Sequence, residues 1–407
     1  MKREISVEDL TIGMFVSELD RPWTDTPFAF QGFTVRTPTH IEVLRKHCRT
    51  VFIDAERGRD IDVSAKRPAS TGLPAPAAPE FSIRGSAVYR ELENVESEFG
   101  RAHEVYARSI AEVEELFGGI RAGGVLDGKH ARDAVARMTG SLVRNPDALM
   151  LLSRLGSKAE SLQERALNMS IYMTAFGRFQ QLARDELELL GLLGLLQDVG
   201  KLELPDALLG KRSHLNPAEF KVAKTHVQHS VEILRRTPGL PARLPGLAAL
   251  HHERQDGTGY PNSLSGAEIG LFGSMAAIVD GFDAMTMPRP YAAQLSPSQA
   301  FGVLYKLRGS AYHGALVEQF CQCIGVYPVG STVELNTGEI GIVIAQNPQR
   351  RLKPRVMVVL DPAGQPTRPH KLLDLMKAPK ASAEEPYHIR RTLEYGRVRV
   401  EPREFFL

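Results

Sequence analysis

Apolar residues recur at helical spacing through the middle of the chain, whereas both ends carry shorter apolar stretches. After Gly325, the segments VGSTVELNTGEIGIVIAQ and PRVMVVLDPAG predict strands joined by glycine turns. The first 58 residues predict a helix over 41–47 and a short buried strand at 51–53. We therefore expect a mainly α protein, with an all-helical domain, a small α/β N-terminal module and a small β-rich C-terminal appendage. The spacing predicts helices over residues 83–117, 127–138, 145–155, 158–183, 185–196, 217–235, 243–252, 271–286 and 297–324.

One of these predicted helices, residues 185–196, is the most apolar in the chain. It is dense in leucine and begins near Asp185, a residue type that favours the N-cap position. We expect this helix to lie at the centre of the core.

Composition divides the chain into segments. The run SAKRPASTGLPAPAAPE cannot bury enough apolar surface to fold, so it is predicted to be a linker. The predicted segments are an N-terminal regulatory module at 1–58, a linker at 59–82, a helical connector at 83–140, the main helical domain at 141–325, the β-rich appendage at 326–376 and a tail at 377–407.

Charge and cysteine content narrow the possible classes of protein. Lys and Arg total 50 against 48 Asp and Glu, and this near-balance argues against a nucleic-acid-binding protein that works through bulk positive charge. Three cysteines are too few for a disulfide framework. No apolar run is long enough for a transmembrane helix, and the N-terminal MKREISVEDL has no apolar core of a secretory signal. We expect a cytoplasmic protein.

Histidines and aspartates concentrate at the ends of apolar stretches in the helical region. Asp198 follows the apolar LGLLGLLQ, and a buried carboxylate there is costly unless it meets a cation. His251 and His252 end another apolar stretch, and His226 and Asp280 lie on further predicted helices. A solvated helix end explains any single histidine, but the set as a whole favours a site for divalent Fe, Mn, Zn or Ni.

Four segments carry a resemblance to a known family: QDVGKLELPDALLGK, KTHVQHSVEIL, HHERQDGTGYP and IVDGFDAMTMPRPY. In this order and spacing they resemble the HD-GYP family, a branch of the HD-superfamily metal-dependent phosphohydrolases. Members of that family hydrolyse the bacterial second messenger cyclic di-GMP. The resemblance covers residues 153–375, and the first 58 residues resemble a small domain of unknown role that often precedes this catalytic domain.

The resemblance implies roles for individual residues. Asp198 and Lys201 match catalytic positions, and Lys201 matches the family lysine near the scissile phosphate. The implied ligand-binding residues are Lys201, Arg289, Tyr260 and Gly259; Tyr260 either contacts the ligand or packs. The implied metal ligands are Asp198, His226, His251, His252 and Asp280.

The sequence departs from the family pattern at four positions. Gln197 stands in place of the first residue of the His-Asp pair, and Arg165 stands where the preceding helix carries a histidine. Ser161 replaces a glutamate found in members with a third metal, and Ala292 replaces a phosphate-binding Lys or Arg. An amide is a poor metal ligand and a guanidinium repels cations, so one metal position loses two imidazoles. We predict that Arg165 replaces the lost cation by pairing with Asp280 or Asp198.

These features leave alternatives for function. The first is a cyclic di-GMP phosphodiesterase with an incomplete Fe or Mn centre, holding one ion instead of two or three, and with weak or lost hydrolysis. The second is an inactive module that binds cyclic di-GMP, and the third is an interaction module that docks a diguanylate cyclase domain.

Overall fold

The computed structural model describes residues 2–20, 33–35, 37–54, 82–156, 161–287, 294–347, 349–383 and 385–393. These residues divide into two compact units. One unit holds the described residues up to Asp54 together with residues 347–354, and the other holds the remainder. The predicted linker at 59–82 lies outside the described residues except for Ser82.

The N-terminal residues form a small α/β module, as the sequence predicts. Its four strands pair antiparallel in the order β1-β4-β2-β3. One helix covers the sheet and buries Leu44 completely, together with Val16, Val51 and Ile53. The elements are β1 (Lys2–Ser6), β2 (Phe15–Leu19), β3 (Phe33–Thr34), α1 (Pro38–His47) and β4 (Thr50–Asp54).

The second unit is mainly helical, which confirms the predicted fold class. Its described helices are α2 (Val95–Arg121), α3 (Gly128–Arg144), α4 (Pro146–Gly156), α5 (Leu162–Phe179), α6 (Arg184–Leu196), α7 (Asp206–Leu209), α8 (Pro217–Lys224), α9 (His226–Arg236), α10 (Leu244–Ala248), α11 (Gly270–Thr286), α12 (Pro297–Lys306) and α13 (Gly314–Ile324). A 3-10 helix, Val199–Glu203, follows α6.

Helices α5 and α6 form the centre of the core. Almost every residue of α6 from Leu187 to Leu196 is buried, as expected from its leucine content. Tyr172 and Phe176 of α5 make edge contacts with Phe282 and Phe320, which line the opposite side of the core. This packing fixes the end of α6, where Asp198 lies.

Several helix boundaries differ from the expected ones because side chains and turns interrupt the apolar spacing. Residues 83–94 form no helix; Gly85 donates its N–H to the carbonyl of Gln180, and Asn94 caps α2. The predicted helix 217–235 is two helices with a break at Thr225, whose hydroxyl donates to the carbonyl of Val222. Helix α6 begins at Arg184, so Asp185 lies inside the first turn and is not the N-cap.

Two other predicted helices are also shorter. The stretch 243–252 is helical only over Leu244–Ala248, which leaves His251 and His252 in the turn that follows. The stretch 297–324 is interrupted after Lys306, where Gly309 adopts a positive φ of 78°. In both cases the interruption places polar side chains at a helix end.

A five-stranded antiparallel sheet completes the second unit, in the order β8-β7-β6-β5-β9. One face of the sheet extends the helical core through Ile342, Ile344, Met357 and Val359. The other face has its own apolar cluster, which includes Val333, Val343 and Val358. The strands are β5 (Thr332–Leu335), β6 (Ile340–Ala345), β7 (Arg355–Leu360), β8 (Pro366–Asp374) and β9 (Ile389–Thr392).

Among the described residues, no helix combines the length and the apolar character needed to cross a membrane.

Candidate metal centre

Three elements bring four potential ligands together. Asp198 follows the end of α6, His226 opens α9, and His251 with His252 follows α10. One ligand atom from each of these side chains lies within 4.8 Å of the others. We call this group the histidine side of the site; Asp198, His226 and His251 are buried, and His252 is partly buried.

Gly200 allows the close packing that brings Asp198 to His226. A Cβ atom at Gly200 would lie 2.1 Å from the carbonyl oxygen of His226 and 2.3 Å from the backbone nitrogen of Ser230. The N–H of Gly200 donates to Ser230 Oγ over 2.8 Å. Any larger residue would push the 3-10 helix away from α9, because backbone atoms cannot yield at that distance.

Backbone contacts fix the orientation of two imidazoles. Nδ1 of His226 lies 2.7 Å from the carbonyl oxygen of Ala223, and Nδ1 of His251 lies 2.7 Å from that of Ala248. Each Nδ1 therefore donates to its carbonyl oxygen, which turns Nε2 of each ring toward the other potential ligands. The two Nε2 atoms face each other at 3.4 Å.

The oxygen Oδ1 of Asp198 lies beside these two Nε2 atoms. It lies 3.2 Å from Nε2 of His226 and 3.5 Å from Nε2 of His251. Oδ1 is buried and has no hydrogen bond of good geometry among the described residues. Two imidazole nitrogens and a carboxylate oxygen that converge in a buried position fit a metal cation, and imidazole with carboxylate suits a divalent transition metal.

The second oxygen of Asp198 has a different partner. Lys201 Nζ donates to Oδ2 over 2.6 Å. Burial favours a raised pKa for Asp198, but Lys201 and the adjacent imidazoles outweigh it and hold the pKa well below the usual range. The carboxylate is therefore charged at neutral pH and available as a ligand.

His252 is the partly buried member of the histidine side. Burial, followed by the neighbouring His251, lowers the pKa of His252 well below its usual value, so its imidazole is neutral. Its ring stacks on Tyr260 with centroids 4.7 Å apart, and its Nδ1 lies 3.8 Å from Oδ2 of Asp280.

Arg165 and Asp283 form a second feature, which we call the arginine side of the site. Nη2 and Nε of Arg165 lie 3.1 and 3.2 Å from Oδ2 of Asp283, whose side chain has no exposed surface. The predicted direct partner, Asp280 or Asp198, was wrong, because Asp283 lies one helical turn after Asp280 and takes the guanidinium. Burial favours a lowered pKa for Arg165, but attraction to Asp283, Asp280 and Asp198 outweighs it and raises the pKa.

Gln197 and Ser161, two positions that depart from the family pattern, lie among the described residues. Gln197 is 1% exposed, and neither of its amide atoms has a hydrogen-bond partner among the described residues. Ser161 is the N-cap of α5, because its hydroxyl accepts the N–H of Glu164 over 3.1 Å. Arg165, four residues after this cap, therefore lies at the end of the first turn of α5.

Comparison with known proteins identifies the family. A model described as HD domain matches residues 150–316, and a KOW domain associated with HD domain matches 332–383. A domain of unknown function (DUF3391) matches residues 2–131. The cyclic di-GMP phosphodiesterase PA4108 of Pseudomonas aeruginosa is 32% identical over 382 residues, which cover 93% of this chain and 90% of that protein. The chain belongs to the HD-GYP family.

Other relatives match over shorter stretches of the chain. A cyclic di-GMP phosphodiesterase of Thermotoga maritima is 40% identical over 126 residues, 31% of this chain and 34% of that protein. The 3'3'-cGAMP-specific phosphodiesterase 2 of Vibrio cholerae is 34% identical over 151 residues, 37% of this chain and 29% of that protein. The relatives thus include proteins named for two different cyclic dinucleotides.

The HD-GYP loop, HHERQDGTGYP, is organised by Glu253, which sequence reasoning missed. This carboxylate is 2% exposed and accepts the N–H groups of Asn262, over 2.7 Å, and Leu264, over 3.0 Å. A Cβ at Gly259 would lie 2.5 Å from the backbone of Glu253, so the loop closes tightly on that residue. The signal in the sequence was an acidic residue directly after two candidate ligand histidines and before a glycine-rich loop.

Asp283 is the second residue that sequence reasoning missed. It lies in the segment IVDGFDAMTMPRPY, three residues after Asp280, but only the fold shows that it faces Arg165. Tyr260 and Lys201 both lie beside the histidine side, through His252 and Asp198 respectively. The predicted ligand contact Arg289 and the substituted position Ala292 lie outside the described residues.

Proposed function

We propose that this chain is a cyclic di-GMP-directed HD-GYP protein with a single divalent metal ion, Fe or Mn, and with weak hydrolysis. The observation that supports this most strongly is the contrast between the two sides of the site. The histidine side presents converging Nε2 atoms and a charged carboxylate, whereas the arginine side already contains its own cation.

Asp198, His226, His251 and His252 would hold the ion. A single ion there supplies a Lewis acid that polarises a phosphoryl oxygen and lowers the pKa of a bound water. Lys201 Nζ, on Oδ2 of Asp198, keeps that carboxylate charged. Asp280, near Nδ1 of His252, is proposed to orient that imidazole.

A second ion is disfavoured by charge and by ligand type. Arg165 is a permanent cation and is attracted to Asp280 and Asp198 as well as to Asp283. Gln197 offers an amide where the family has an imidazole. Without a second ion the developing charge at phosphorus is less stabilised, which costs about 100-fold or more in rate.

Metal analysis together with a hydrolysis assay tests the proposal. Purified full-length protein loaded with Fe or Mn should bind about one equivalent of metal and bind cyclic di-GMP, with slow turnover. Two tightly bound equivalents with rapid hydrolysis would contradict the single-ion centre. Absence of cyclic di-GMP binding would overturn the proposal and favour a module that docks a diguanylate cyclase domain.

A double variant, Arg165→His with Gln197→His, provides the converse test. It supplies two imidazoles and removes the guanidinium, so a second ion should bind and hydrolysis should rise about tenfold or more. The matched control is Arg235→His with Gln228→His, two exposed positions on α9 outside the site, which should change neither metal content nor rate. The cytoplasmic location expected from the sequence is part of this proposal.

A further inference from the structure

Lys224 occupies an unusual position beside the histidine side. It is the last residue of α8, two residues before His226, and it is half-buried. Its Nζ lies 4.7 Å from the ring centroid of Phe220 and 4.7 Å from that of Tyr260. Because Tyr260 stacks on His252, Lys224 is separated from a potential metal ligand by a single aromatic ring.

The two rings hold the ammonium without neutralising it. A cation over an aromatic face is attracted by the ring quadrupole, but the ring carries no net charge. Among the residues that the structure describes, Lys224 makes no ion pair with a carboxylate. Its full positive charge therefore remains available to an anion, in a position that the rings have already ordered.

The charge of Lys201, in contrast, is paired with a carboxylate. Its Nζ is 2.6 Å from Oδ2 of Asp198, so its charge is largely compensated within the protein. The sequence also carries alanine at position 292, where a basic residue would add a phosphate contact. Lys224 is therefore placed to offer an uncompensated positive charge to a dianionic cyclic dinucleotide at this site.

We infer that Lys224, held between Phe220 and Tyr260, binds a phosphodiester group of the cyclic dinucleotide. This rests on the proposed function and adds a residue to its ligand contacts. The aromatic pair orders the lysine before the ligand arrives, so less side-chain entropy is lost on binding. Lys224 is itself partly exposed, so an anion can reach it from solvent.

Equilibrium binding of cyclic di-GMP to the metal-loaded full-length protein tests the inference. Lys224→Met keeps the length of the side chain and removes the charge, and it should raise the Kd about tenfold. The loss should be larger at about 50 mM than at about 300 mM NaCl, because salt screens the missing charge. Lys224→Arg should restore binding to within about threefold of the original protein.

Lys221→Met is the matched control. It removes the same charge from the same helix, at an exposed position that contacts neither ring. Its Kd should stay within about twofold of the unsubstituted protein, because exposed charges at a distance are screened. Metal content should be unchanged in all three variants, which separates a ligand contact from a disturbance of His226.

The outcomes distinguish this inference from the proposed function. Equal binding by Lys224→Met and the unsubstituted protein would overturn the role of Lys224 while leaving the proposed function intact. Loss of metal in Lys224→Met would also overturn it, because the lysine would then act through His226. If the unsubstituted protein does not bind cyclic di-GMP, the proposed function fails and the inference fails with it.

Discussion

The histidine side and the arginine side of this site lie on the same helical framework but handle charge in different ways. On the histidine side, Nε2 of His226 lies 3.4 Å from Nε2 of His251 and 3.2 Å from Oδ1 of Asp198. On the arginine side, Arg165 supplies a proton donor and a positive charge directly to Asp283. The proposed metal ion would complete the first arrangement, whereas the second already contains its cation. On this proposal, residue types alone let one framework keep one metal position and lose another.

Removal of the Asp198 carboxylate should have the largest effect on the contrast between the two sides. Asp198→Asn leaves the imidazoles in place but replaces a charged ligand by a neutral amide, so metal affinity should fall about 100-fold or more. Metal titration of the purified protein measures the change. Asp206→Asn, an exposed carboxylate on α7, is the control and should bind metal normally. Unchanged affinity in Asp198→Asn would break the assignment of the histidine side.

Removal of the guanidinium tests whether the arginine side is self-sufficient. Arg165→Met leaves the fully buried Asp283 carboxylate without its cation and should lower the free energy of unfolding by about 3 kcal/mol. Denaturant titration measures the loss. In the double variant Arg165→Met with Asp283→Leu most of that stability should return, because an apolar pair replaces a buried ion pair. Failure of the second substitution to restore stability would show that the two residues are not coupled.

Removal of the Glu253 charge should destabilise the loop HHERQDGTGYP on the histidine side. Glu253→Gln removes the charge that accepts two backbone N–H groups, and it places an amide donor beside one of them. The free energy of unfolding should fall by about 2 kcal/mol. Hydrogen exchange of residues 256–265 should become faster in the same variant. Glu232→Gln, an exposed residue on α9, should change neither quantity.

The smallest predicted effect concerns the cap before Arg165. Ser161→Ala removes the hydroxyl that accepts the N–H of Glu164 and should cost about 1 kcal/mol of stability. Ser161→Asp keeps an acceptor at the N-cap and should restore the loss. Thermal unfolding of the two variants provides the comparison. If Ser161→Asp instead behaves like Ser161→Ala, the residue does not stabilise α5 as a cap.

The sequence was sufficient to predict the helical framework, because apolar spacing survives as long as a helix buries one face. It failed where a single side chain or backbone turn decides an end, as at Thr225 and Asn94, since apolar spacing contains no information about such hydrogen bonds. The candidate metal ligands were identifiable from motif and spacing. Their roles as ligands remain predictions that the metal measurements above will test.

The sequence by itself determined which residue types are present at the site: three histidines and Asp198 on one side, and Arg165 with Gln197 where the family has imidazoles. The tertiary structure decided how these groups are paired. It placed Asp283 against Arg165, Lys201 on one oxygen of Asp198, and Lys224 between two aromatic rings. The physical reason is that charge pairing depends on distances of a few ångströms between residues far apart in the chain, and only the packing of the helices sets those distances.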